Sequence, residues 1–123
     1  MKMTEYIAAA HGNLAWVAWR RGHLDEAITR AREALAMWHA MPVPYMFDWM
    51  AAWPLIAATF RQNRIEESIA TARLMFTPTQ QPLPSSLADT TQRAIGAWES
   101  GAIEETADLL EAAIDAARAW GYA

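Results

Sequence analysis

The chain has 123 residues, 54% of them hydrophobic and 20% charged, a net charge of −4 and a pI of about 5.3. These values suit one folded domain with its own core and exclude a chain disordered throughout. The acidic balance leaves no electrostatic footprint for nucleic acid, the lack of cysteine removes disulfides and thiol chemistry, and no apolar run reaches the length of a membrane span.

The N-terminal residues Met1-Lys2-Met3-Thr4-Glu5 lack the apolar core of a signal peptide, so the expected compartment is cytoplasmic. A first helix is predicted from about Thr4, as N-cap, to Arg21, with Ile7, Leu14, Val17 and Ala18 apolar and Trp16 and Trp19 alongside. Gly22 ends it, and Arg20 and Arg21 stand where cations favour a helix C-terminus. The second helix runs from about Leu24 to His39, opening on Asp25 and Glu26, with Ala27, Ala31 and Ala34 on one face. Pro42 and Pro44 then break the chain.

A third helix is predicted from near Tyr45 to about Gln62, apolar nearly all round and so buried on more than one side. Pro54 inside it predicts either a kink near 50–53 or a short helix followed by one with Pro54 in its first turn. Asn63 takes the turn position that Gly22 took before, since asparagine tolerates the left-handed conformation. A fourth helix from Ile65 to about Phe76 follows, then a proline-rich loop over 77–85. A fifth, capped by Ser85 or Ser86, runs to about Ser100, and a sixth runs from Ile103 to about Trp120.

Three segments align on their turns: 19–28 (WRRGHLDEAI), 60–69 (FRQNRIEESI) and 98–107 (WESGAIEETA). Each has an aromatic three residues before the turn, Leu or Ile two after it, two acids and then a small residue. Two helices per repeat of about 40 residues mark an α-solenoid. Leu14-Ala15, Gly22, the run from Leu24 to Ile28, and Ala34 resemble the tetratricopeptide repeat, with His11 where that family usually has Trp and Ala31 where it has an aromatic. The resemblance implies an all-α fold. Six helices would form three antiparallel αα-hairpins, at about 4–40, 45–77 and 85–120, stacked in a right-handed superhelix within a single domain over 1–123.

A narrower resemblance covers nearly the whole chain. It rests on Phe47-Asp48-Trp49, Trp53-Pro54-Leu55, Pro78-Thr79-Gln80-Gln81, Leu83-Pro84, Ala97-Trp98-Glu99-Ser100-Gly101 and Ala119-Trp120-Gly121-Tyr122. These are similar to the C-terminal end of large bacterial signalling proteins. Such proteins join an adenylate/guanylate cyclase-like or other effector domain and an AAA-type ATPase core to a tail of tetratricopeptide-like repeats. The resemblance implies a role at the end of such a tail. It carries over no catalytic residue, because the chain has no G-x-x-x-x-G-K-[ST] phosphate loop and no paired metal-binding aspartates.

Residue chemistry gives little else. His11, His23 and His39 lack the spacing of a two-histidine metal site on one helix, and no cofactor is expected. The acid pairs recur at helix starts, where they offset the helix dipole. Ser85-Ser86 reads as a cap with no base beside it.

The aromatics carry the sharper reading. Trp19, Phe60 and Trp98 hold equivalent positions near the ends of the first helices, which line the concave groove in tetratricopeptide arrays. Trp16 and Trp53 join them, and Arg20 and Arg61 stand beside them to meet carboxylates. The alternative for each ring is packing between helices. The Met- and Trp-rich stretch 45–53 suggests in addition a contact with a neighbouring repeat or a homodimer. The expected function is therefore a non-catalytic protein-interaction module, partnered by a protein or by other domains of a longer chain. The alternative is a sensor whose Trp-rich interior between the third and fifth helices closes over an apolar small molecule.

Overall fold

Four turns of one design punctuate the chain. In the computed structural model, which describes residues 2–123 with side chains from Thr4 onward, Gly22, Asn63, Gly101 and Gly121 adopt φ of 79°, 59°, 79° and 83°. Met1, where the reading of the N-terminus began, lies outside the described residues. At the first turn Gly22 N–H donates to the Trp19 carbonyl at 3.0 Å and His23 N–H reaches back to Ala18 at 2.8 Å. At the second, Asn63 N–H donates to Phe60 at 2.9 Å and Arg64 N–H to Thr59 at 2.8 Å. This pair of bonds satisfies carbonyls that a helix end would otherwise leave orphaned, and it needs a left-handed residue at the corner. Glycine takes that conformation at no steric cost, and asparagine is the next best choice.

These turns and the loops 40–48 and 75–84 delimit six helices: α1 (Lys2–Arg20), α2 (Leu24–His39), α3 (Trp49–Arg61), α4 (Ile65–Leu74), α5 (Ser85–Glu99) and α6 (Ile103–Ala119). No strand occurs among the described residues. The helices pair as the hairpins α1/α2, α3/α4 and α5/α6, as the repeat predicted. Small residues line the seams: Ala15, Ala27, Ala31 and Ala34 are fully buried between the first helices. In the second hairpin Thr59 and Ser68, also fully buried, join hydroxyls at 2.7 Å. Thr59 Oγ1 also lies 2.7 Å from the Leu55 carbonyl, so the polar atoms of this seam are satisfied inside it.

α3 is the centre. Every residue from 51 to 59 is buried, and the helix touches α1, α2, α4 and α6. A helix apolar all round finds walls all round. The third hairpin reaches α3 through α6, while α5 lies against α4. α6 packs on α3: Ile114 and Arg118 line a cleft with Ala57 and Arg61, and Tyr122 lies against Trp49 with ring centroids 4.5 Å apart.

Several boundaries differ from the sequence reading. Thr4 lies inside α1 rather than capping it, Pro84 rather than a serine precedes α5, and α4 stops at Leu74, short of Phe76. α3 begins at Trp49, not near Tyr45. Tyr45 instead stacks on Trp38, centroids 4.4 Å apart. Gln80 clamps the segment, donating through Nε2 to the Tyr45 carbonyl at 2.6 Å and accepting through Oε1 from Asp48 N–H at 2.9 Å. Asp48 is buried and its Oδ2 lies 2.8 Å from His39 Nε2. Pro54 falls in the second turn of α3, where it denies the Met50 carbonyl its usual helical partner.

Gly12 lies within α1, and a Cβ there would meet only Trp38 at 3.5 Å and the Met50 carbonyl at 4.0 Å. Those are ordinary contacts, so helix propensity decides the sign. Gly12→Ala is expected to stabilise the protein by about 0.5–1 kcal/mol, read as a higher urea midpoint at unchanged slope.

Candidate functional site

α1 and α3 end side by side, and their last turns carry an aromatic-cationic platform. The Arg20 guanidinium lies over the Trp16 ring, 4.8 Å from its centroid. Arg61 lies over Trp19 at 5.2 Å. Such contacts contribute roughly 0.5–1 kcal/mol each at exposed sites. Each arginine also sits in the last turn of its helix, where free carbonyls favour a cation. Together with Gly22, Leu24 and Arg118 these four residues line an open depression of about 450 Å³. Phe60 lines a narrower continuation of it, of about 70 Å³, along with Trp19, Arg61 and Arg118.

The sequence-predicted residues thus divide. Trp16, Trp19, Arg20, Phe60 and Arg61 come together. Trp53 does not: it is fully buried, a core ring in the middle of α3, because that helix is enclosed rather than lying along an open face. Trp98 is half-buried in a separate depression of about 500 Å³ with Asn63, Ile65 and Ile103. Its helix position matches that of Trp19, but α5 does not continue the row formed by α1 and α3. Arg118, which the sequence reading passed over, takes the place expected of the third unit, because α6 is the helix of that hairpin that packs on α3. One signal pointed to it: Arg118 stands three residues before Gly121, as Trp19 stands before Gly22 and Phe60 before Asn63.

Exposure also separates the two tryptophans of the platform. Trp19 is only 6% exposed and acts as floor, whereas Trp16 is half-buried and presents part of its ring. Two arginines elsewhere share one counter-ion: Arg32 donates to Glu67 at 2.7 Å, and Arg64 pairs with the same carboxylate. Arg64 and then Arg32 hold Glu67 below the ordinary carboxylate pKa. Arg20, Arg61 and Arg118 form no ion pair with a carboxylate among the described residues.

A second cleft, of about 390 Å³, is lined by Trp38, His39, Tyr45, Asp48 and Gln80 among others. Burial, then the charges of Glu5 and Asp48, push the Tyr45 hydroxyl pKa up. Among the described residues no three His, Cys, Asp or Glu side chains gather as a metal site, and no helix is long and apolar enough to cross a membrane. No protein-family model, curated protein or solved structure matches the chain.

Proposed function

We propose that this chain is a non-catalytic helical-repeat module for protein–protein contact, with the depression over Trp16, Trp19, Arg20 and Arg61 as its contact surface. One observation carries the reading: two guanidinium groups stacked on two tryptophans at the mouth of an open depression. Tryptophan and arginine dominate the energetic centres of protein interfaces. Stacking restrains the long arginine side chains before a partner arrives, which lowers the ordering cost of binding. The platform stands on the ends of α1 and α3, the latter held by helices on several sides, so its geometry is set by the core. The resemblance of its sequence motifs supports reading it as the end of a multidomain bacterial signalling regulator of the cyclase-like or AAA-type ATPase kind. The partner is then another domain or a separate cytoplasmic protein.

Random-peptide display on the intact chain tests this. Peptides are expected to be selected whose binding falls at least about 30-fold in Trp16→Ala, the loss typical of an interface hot spot. The helical circular dichroism of that variant should be retained, since the ring is only half-buried. Trp19 is unsuited to the same test because its burial makes folding the first casualty. Selected peptides that bind Trp16→Ala and the wild type alike would overturn the assignment.

A further inference from the structure

The depression is cationic in a chain that is not. Acidic residues outnumber basic ones by 14 to 10, and the arginines that pair with a carboxylate, Arg32 and Arg64, share Glu67. What sets Arg20, Arg61 and Arg118 apart is convergence: they come from three different helices, line one depression and have no carboxylate partner among the described residues. Three guanidinium groups at one mouth repel each other, and stacking on Trp16 and Trp19 fixes two of them where they do so. A guanidinium held over a ring keeps its N–H donors at its edge, in the fork that matches a carboxylate.

Resting on the interaction reading, we propose that this depression receives an acidic segment of a partner protein, its carboxylates held by Arg20, Arg61 and Arg118. Shape favours a peptide over a small anion. The cationic depression continues into the cleft walled by Ala57, Phe60 and Ile114 and rimmed by Glu111 and Asp115. A peptide places acidic side chains on the arginines and an apolar one beyond them. A compact polyanion fills only the cationic part and leaves the cleft beyond it unused.

The test is fluorescence anisotropy of a labelled peptide of repeated Glu-Glu-Leu units, titrated with the intact chain. Saturable binding is expected, weakening as salt is raised. Arg118→Gln is expected to weaken it roughly tenfold, the worth of one charge-assisted contact. Arg93→Gln, which removes an exposed arginine of α5, should leave it unchanged. A Lys-Lys-Leu peptide of equal length should not bind. Equal loss in both glutamine variants, or none in either, would overturn the proposal. So would competition by inorganic tripolyphosphate at lower concentration than the peptide, which would assign the site to small polyanions. Sedimentation as a dimer that Arg118→Gln dissolves would replace the partner with a second copy of this chain. If display yields peptides without acidic residues whose binding is still lost in Trp16→Ala, the acidic segment falls and the interaction reading stands.

Discussion

Trp53→Ala is expected to lower the unfolding free energy by about 3 kcal/mol. Truncating a fully buried aromatic ring costs roughly 3–5 kcal/mol, in lost transfer energy plus the cavity left behind. Trp53 is 0% exposed and sits where α3 is enclosed, so little collapse can refill the space. One term works against this. The indole N–H is buried without an acceptor, and removing it returns part of a desolvation cost of roughly 1–3 kcal/mol, which places the net near the lower bound. Trp53→Phe keeps most of the volume and sheds the orphan donor, so it should change stability by less than about 1 kcal/mol. Urea denaturation followed by circular dichroism checks both. A change below 1 kcal/mol in Trp53→Ala would mean that the ring is not packed as described. Neither variant touches the Trp16 depression, so peptide binding by the folded fraction should be unaltered.

Ala27→Leu is expected to cost about 3 kcal/mol, at the upper end of overpacking penalties. Ala27 follows the acid pair that opens α2 and is fully buried with Ala15, Ala31 and Ala34. Four alanines without exposed surface define a seam where two helices approach closely, and three extra carbons there must push them apart. The same register is filled by Ser68 in the second hairpin and Thr106 in the third, both fully buried. Ala27→Ser should therefore be tolerated within about 1 kcal/mol, because a serine hydroxyl can bond the carbonyl four residues back, as Ser68 does with Arg64. A leucine variant as stable as the wild type would show that the seam is loose.

The hairpins were legible because their information is local. Gly22, Asn63 and Gly101 end helices through their own conformational freedom, and the acid pairs that follow open the next ones. The seams were legible from alanine spacing. What escaped was tertiary. Nothing near Tyr45 says that Trp38 will stack on it or that Gln80 will hold its carbonyl, so the largely apolar stretch 45–48 read as helix. The site divided along the same line. Trp16, Trp19, Arg20 and Arg61 gather because α1 and α3 are neighbours in the repeat register, which a sequence can show. Arg118 arrives and Trp98 departs because α6, not α5, packs on α3, and that choice belongs to the packing of whole hairpins. Trp53 misled because a tryptophan in an apolar helix reads alike whether its helix lines a groove or fills a core.

The position of α3 has a consequence for how the molecule comes apart. In a linear array each unit touches only its neighbours, so the ends can fray while the middle persists. This molecule has only three units, and its middle one carries α3, which touches both helices of the first hairpin, its own partner α4, and α6 of the last. Releasing either terminal hairpin strips a wall from the most apolar helix in the chain. The hairpins should consequently melt together, in one sharp transition sensed alike by the peptide bonds and by the indoles, rather than in steps from the ends.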